Sequence, residues 1–203
     1  MADPAAHLSH LTLDLPSAWV ARFAPLIPAG GVLDLACGGG RHSRLLAAAG
    51  HDVLAVDRNA AALAQLAGDE RSDSRISTLQ IDLEMPEGAE RQPGWPLQAG
   101  RFSGIVVTNY LYRPLFPALF DSLAEGGVLI YETFAAGNER YGKPSSPAFL
   151  LQPGELLQLA AGAGPALRVI AFEDGYTASP KPAMVQRICL LRGQPCSDLG
   201  LSL

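Results

Sequence analysis

The run Val32-Leu-Asp34-Leu-Ala36-Cys-Gly38-Gly-Gly40-Arg-His-Ser43 combines the residue types that a small-ligand site needs. An apolar stretch carries an acid, small residues alternate at positions 36, 38 and 40, and a helix-forming segment follows. Small residues let a ligand approach the backbone closely. The helix start behind them offers unpaired N–H groups and the positive end of the helix dipole, which suits an anionic group such as a carboxylate. Asp57 and Asp82 each close a later apolar run. An acid at the first of these positions can accept hydrogen bonds from ribose hydroxyls. One at the second can accept from the exocyclic amino group of a purine. A glycine turn alone can be only a turn, and an acid at a strand end can be only solvated. Three such features at successive strand ends, on one edge of a sheet, favour a ligand site.

These residues work together only if the strands carrying them end on the same side. Hydrophobic periodicity predicts strands over 31–37, 53–57, 76–81, 102–108 and 127–133. Helices are expected over 17–23, 41–49, 59–66, 114–123 and 153–161, with Gly50 closing the second and Pro114 opening the fourth. Segments 84–101 and 137–147 are polar and read as loops. Two last strands are expected over 167–172 and 185–191, with 173–183 an irregular connection. Alternating strands and helices predict a mostly parallel seven-stranded sheet with helices on both faces. Two strands joined without a helix should pair antiparallel, because a parallel pair needs a long crossover.

Composition bounds the class. The 203 residues are 48% hydrophobic and 17% charged, which is globular and enough for one domain over 1–203, with 1–15 a loosely held arm. A net charge of -5 argues against a general nucleic-acid surface. Cys37, Cys189 and Cys196 form no CxxC pair and no metal-spaced cluster, so no metal is expected. The start has no signal-peptide pattern and no apolar run reaches membrane-spanning length, so a cytoplasmic protein with reduced thiols and no membrane contact is expected.

Residues 34–43 resemble motif I of the class I S-adenosylmethionine-dependent methyltransferases, an acid followed by alternating small residues, with Ala36 in place of the first glycine. Within that class they are most similar to the compact small-molecule methyltransferases of the tellurite-resistance type. The resemblance covers about 16–192 and implies a Rossmann-like α/β fold with a C-terminal antiparallel strand, and S-adenosyl-L-methionine as cofactor. It implies that Asp34, Ala36, Gly38 and Gly40 line the methionine part, that Asp57 holds the ribose, and that Asp82 with the Leu83 backbone reads the adenine. Asn109, ending the fourth strand, would lie beside the reacting methyl group. The reaction would be an in-line displacement onto a small-molecule acceptor.

On the substrate side, Asn109-Tyr-Leu-Tyr-Arg-Pro114 lacks the Asn-Pro-Pro-Tyr pattern of enzymes that methylate amide or adenine nitrogens. Tyr112 and Arg113 are candidates there, Arg113 as a partner for an acidic substrate. Tyr110 is expected to pack under the following helix, and Tyr112 either to do the same or to line a pocket. Glu132 and Thr133 face the same edge, and loop 137–147, with Arg140, Tyr141 and Lys143, is placed to fold over substrate. His42 is expected at the surface or as a cap, Cys37 and Trp19 in the core, and His7 and His10 in solvent. Three alternatives stand beside this reading. A nicotinamide oxidoreductase would need a glycine where Ser43 stands. A non-catalytic cofactor-binding partner subunit would share the same motifs. A methyltransferase acting on RNA or protein is disfavoured by the acidic balance. Oligomeric state is open.

Overall fold

Val, Ile and Leu dominate the central strands, as expected where both faces of a sheet are covered. In the computed structural model, which describes residues 15–69, 73–84, 96–164 and 166–193, seven strands form one sheet. They are β1 (Gly31–Leu35), β2 (Asp52–Asp57), β3 (Ile76–Gln80), β4 (Phe102–Thr108), β5 (Leu123–Phe134), β6 (Leu167–Thr177) and β7 (Ala183–Arg192). The spatial order is β3-β2-β1-β4-β5-β7-β6. The first five pair in parallel, and β7 runs antiparallel to both β5 and β6. This is the Rossmann-like α/β sheet expected, with β7 as its antiparallel strand.

The helices are α1 (Ala18–Phe23), α2 (Arg41–Ala48), α3 (Ala60–Gly68), α4 (Phe116–Ser122) and α5 (Glu155–Gly162). Strand alternation divides the core between the two faces. Leu33, Ile105, Leu129, Tyr131 and Leu190 point to one side, where α4 brings Phe116, Leu119 and Phe120 and α5 brings Leu156 and Ala160. Val32, Val106, Val128, Ile130 and Cys189 point to the other, under Trp19 and Phe23 of α1 and Leu46 and Ala47 of α2. Leu63 and Leu66 of α3 cover Ala55 and Cys37 nearby. Each fully buried aliphatic side chain contributes roughly 1.5–3 kcal/mol. Asn59 caps α3 by accepting the Ala61 and Ala62 N–H groups at 3.0 and 3.2 Å, an arrangement worth about 1 kcal/mol.

Two expectations are corrected. The helix over 114–123 is shorter: a 3-10 turn, Arg113–Leu115, precedes α4, and Leu123 already belongs to β5, paired with Phe102. The connection over 173–183 is mostly strand, and only 178–182 turn between β6 and β7. β6 is an edge strand with many half-exposed positions, so backbone pairing to β7 sustains it without an apolar alternation to read. The arm 1–14 with His7 and His10, most of loop 84–101 with Trp95, and Cys196 lie outside the described residues. Among the described residues no helix is long and apolar enough to cross a membrane, and no group of three or more His, Cys, Asp or Glu could hold a metal.

Candidate active site

Strands β1 to β5 all end on one edge of the sheet. Connections leave β1 and β4 toward opposite sides, so a crevice opens between their ends, the switch point where ligands bind in such sheets. Three adjoining clefts lie along this edge, and Asn109, just past β4, lines all three.

The middle cleft, about 310 Å³, is walled by Ala36 to Gly39 on one side and Thr108 and Asn109 on the other. The loop is held open by left-handed backbone at Ala36 (φ 54), Gly38 (φ 53) and Gly40 (φ 73). At Gly40 the requirement is also steric, since a Cβ there would lie 2.5 Å from Leu66 Cδ1. Ala36 adopts a conformation that costs an L-residue roughly 1–2 kcal/mol. Asp34 lies beneath the loop, 1% exposed, and accepts a 2.6 Å hydrogen bond from Ser43 Oγ. Burial raises its pKa to about 6, against the lowering effect of Ser43. Asp34 therefore braces the loop from behind.

The second cleft, about 250 Å³, runs from Asp57 to Asp82, Leu83 and Tyr110. Asp57 Oδ2 accepts the Gly38 N–H and Oδ1 accepts the Asn59 N–H, both at 2.8 Å. A carboxylate offers about four lone-pair sites, so two remain for a ligand's hydroxyls. Asp82 is exposed and Leu83 buried at the cleft wall. Tyr110 packs against the core cluster that α4 helps to build, as expected, and also lines this cleft; burial raises its phenol pKa, keeping the hydroxyl a neutral donor.

The third cleft is the largest of the three, about 520 Å³, and lies beyond Asn109 toward β5 and the β6–β7 hairpin. Glu132, 8% exposed, accepts from Ser17 Oγ at 3.1 Å and lies 2.6 Å from Arg187 Nε. That second contact is an ion pair whose N–H is not aligned as a hydrogen bond. Loop 137–147 enters the wall through Lys143. Asn138, buried in its 3-10 turn, donates from Nδ2 to the Pro144 carbonyl at 2.9 Å and accepts the Met184 N–H at 3.2 Å. It thereby pins the loop to β7. The β6–β7 hairpin brings Lys181 to the same cleft.

His42 is neither cap nor surface: it is 1% exposed, because α1, α2 and the end of β4 close around it. Its Nε2 accepts the Ser17 N–H at 3.0 Å, which leaves the proton on Nδ1, 3.4 Å from Thr108 Oγ1. Burial, and to a lesser degree Arg41, lowers its pKa to about 3, so the ring is neutral. Trp19 and Cys37 are in the core as expected, and burial pushes the Cys37 thiol well up.

Arg113 sits elsewhere than expected. Its guanidinium is engaged by Glu155 at 2.6 and 2.9 Å and by the carbonyls of Ala148 and Leu150 at 2.8 and 2.9 Å. It ties the start of α4 to α5 and lines a separate groove of about 880 Å³ between those helices. Tyr112 is half-buried against the core on that same face. Sequence reading passed over Ser17, Arg41, Lys181 and Arg187. A cation in a Pro-rich turn, Ser179-Pro-Lys-Pro182, was the one local signal for Lys181.

A methyltransferase domain model matches residues 32–127. No curated protein matches the chain by sequence. Among solved structures, TehB from Haemophilus influenzae is similar at TM-score 0.67 and 21% identity, covering 88% of this chain. This chain spans 63% of TehB's length. An S-adenosylmethionine-dependent methyltransferase from Archaeoglobus fulgidus is similar at TM-score 0.63 and 14% identity, covering 91% of this chain and 94% of that one. The glycopeptide N-methyltransferase MtfA, in complex with S-adenosylmethionine, is similar at TM-score 0.58 and 17% identity, covering 85% and 92%. At such identities the likeness to solved structures shows the fold, and the domain match adds that residues 32–127 resemble a methyltransferase domain.

Proposed function

We propose that the chain acts as one methyltransferase domain that transfers the methyl group of S-adenosyl-L-methionine in line to a small-molecule acceptor, with Asn109 between donor and acceptor. The observation that carries this reading is that Asn109 lines all three clefts. The first two clefts fit the cofactor. Asp57, with two acceptor sites to spare, suits the ribose; Asp82 and the Leu83 backbone suit the adenine. Ala36, Gly38 and Gly40, braced by Asp34 and Ser43, suit the methionine part beside the uncapped start of α2. The third cleft then takes the acceptor, and its size is that of a small-molecule pocket.

When bound, the cofactor supplies an already activated methyl group. The protein's task is alignment, which is worth roughly 7–11 kcal/mol in well-oriented cases. The neutral ring of His42 serves that task by fixing Ser17, at the acceptor wall, against Thr108, at the cofactor wall. A reducing, cytoplasmic setting suits the two buried free thiols, Cys37 and Cys189.

The test is calorimetric titration with S-adenosylmethionine, S-adenosylhomocysteine and NADH. Binding of the first two without NADH is expected, and Asp57→Ala should weaken it by about tenfold or more, a loss of about 1.4 kcal/mol, with the fold intact by circular dichroism. Binding of NADH alone sinks the proposal, and unchanged affinity in the Asp57 variant removes Asp57 from the cofactor site.

A further inference from the structure

The third cleft carries a charge opposite to that of the chain. Arg41, Lys143, Lys181 and Arg187 line it, with Glu132 as the single carboxylate among its wall residues, in a protein whose net charge is -5. These cations come from four different segments, so no local run of basic residues explains their meeting. They also differ in their engagement. Arg187 is held by Glu132 and Glu173, at 2.6 and 3.2 Å, and Arg41 donates to the Leu15 carbonyl at 3.3 Å. Lys143 and Lys181 make no ion pair among the described residues, and Lys181 stands 5.8 Å over the Phe134 ring. Two ammonium groups lining one cleft repel each other and together attract an anion. The rest of the wall is apolar in part, with Leu15, Phe134, Pro180 and Val185 offering a surface for a hydrocarbon body. At about 520 Å³ the space far exceeds that of a bare inorganic anion.

We infer that the methyl acceptor is a small organic acid, its anionic head held between Lys143 and Lys181 and its apolar body lying against Phe134 and Val185. This rests on the assignment of the third cleft to the acceptor. It moves anion recognition from Arg113, which is spent on Glu155, to two lysines that sequence position alone does not bring together. Loop 137–147 is then a recognition wall, and Asn138 is the positioning residue that sets Lys143 over the cleft.

The test separates the two readings by doing them in order. Cofactor binding is first established with S-adenosylhomocysteine, and its absence counts against the proposed function. The protein saturated with S-adenosylhomocysteine is then titrated with a panel of aryl and short-chain carboxylates and phosphate monoesters, each beside its neutral methyl ester or alcohol. At least one acid should bind tenfold or more tightly than its neutral partner, with affinity falling as salt rises. Whether carboxylates or phosphates win identifies the head group. Lys143→Gln with Lys181→Gln should abolish that preference while S-adenosylhomocysteine affinity stays within twofold. If no acid outbinds its neutral partner, or if the double variant keeps the preference, the inference is overturned.

Discussion

The two sides of Asn109 are built in opposite ways. The second cleft is acidic, with Asp57, Asp82 and Glu84 against Arg58, and its parts lie at the ends of β1 to β4 and in the short loops that follow. The third cleft is basic and draws on residues from Leu15 to Arg187. The methyltransferase domain match ends at residue 127, so Glu132, Lys143, Lys181 and Arg187 all fall beyond it. A binding function shared across a family can be carried by backbone shape and a few acids at strand ends. Selection of one acceptor is carried by side chains on loops, which vary without disturbing the sheet.

The change expected to break the cofactor side most severely is Gly40→Ala. It combines a left-handed φ of 73 with a Cβ 2.5 Å from the fully buried Leu66. Strain and overpacking together should cost about 2–4 kcal/mol. Chemical denaturation reads this directly; a variant as stable as the parent would show that the loop relaxes freely and is not a rigid cradle.

Arg113→Met sharpens the boundary of the acceptor side. It removes a two-pronged contact to Glu155 and two carbonyl contacts, so about 2 kcal/mol of stability should go. Neither cofactor nor acid affinity should move. A variant of normal stability that had lost acceptor binding would return Arg113 to the site.

Acid stability, where the two opposing groups partly offset each other in the parent, is the remaining expected effect. His42 has a folded pKa of about 3, below its ordinary 6.5, so folding favours its neutral form. Its contribution is present above pH 6.5 and is lost as pH falls toward 3. Asp34 acts oppositely: its pKa is raised to about 6, so the native state holds its proton more tightly and stability is gained as pH falls from 6 toward 3.8. Denaturation midpoints at pH 7, 5.5 and 4.5 should fall less steeply in His42→Phe than in the parent, and more steeply in Asp34→Asn. Parallel slopes in all three proteins would show that neither group titrates as its burial implies.

The parallel sheet, the motif at 34–43 and the acids at 57 and 82 were legible in the residues alone, because these depend on local rules. Near-continuous apolar runs make strands buried on both faces, glycines permit left-handed turns, and acids at strand ends share an edge once the strands are parallel. The third cleft depends on contacts between segments far apart in the chain. Arg113 looked like a substrate ligand until Glu155, 42 residues onward, was packed against it. His42 looked exposed until Ser17 and Thr108 closed on its two nitrogens. Lys143 and Lys181 became a pair only when β7 carried the hairpin back beside the loop that Asn138 holds. A side chain's chemistry is set by its neighbours in space, and in this protein those neighbours are brought by strands and helices far away along the chain.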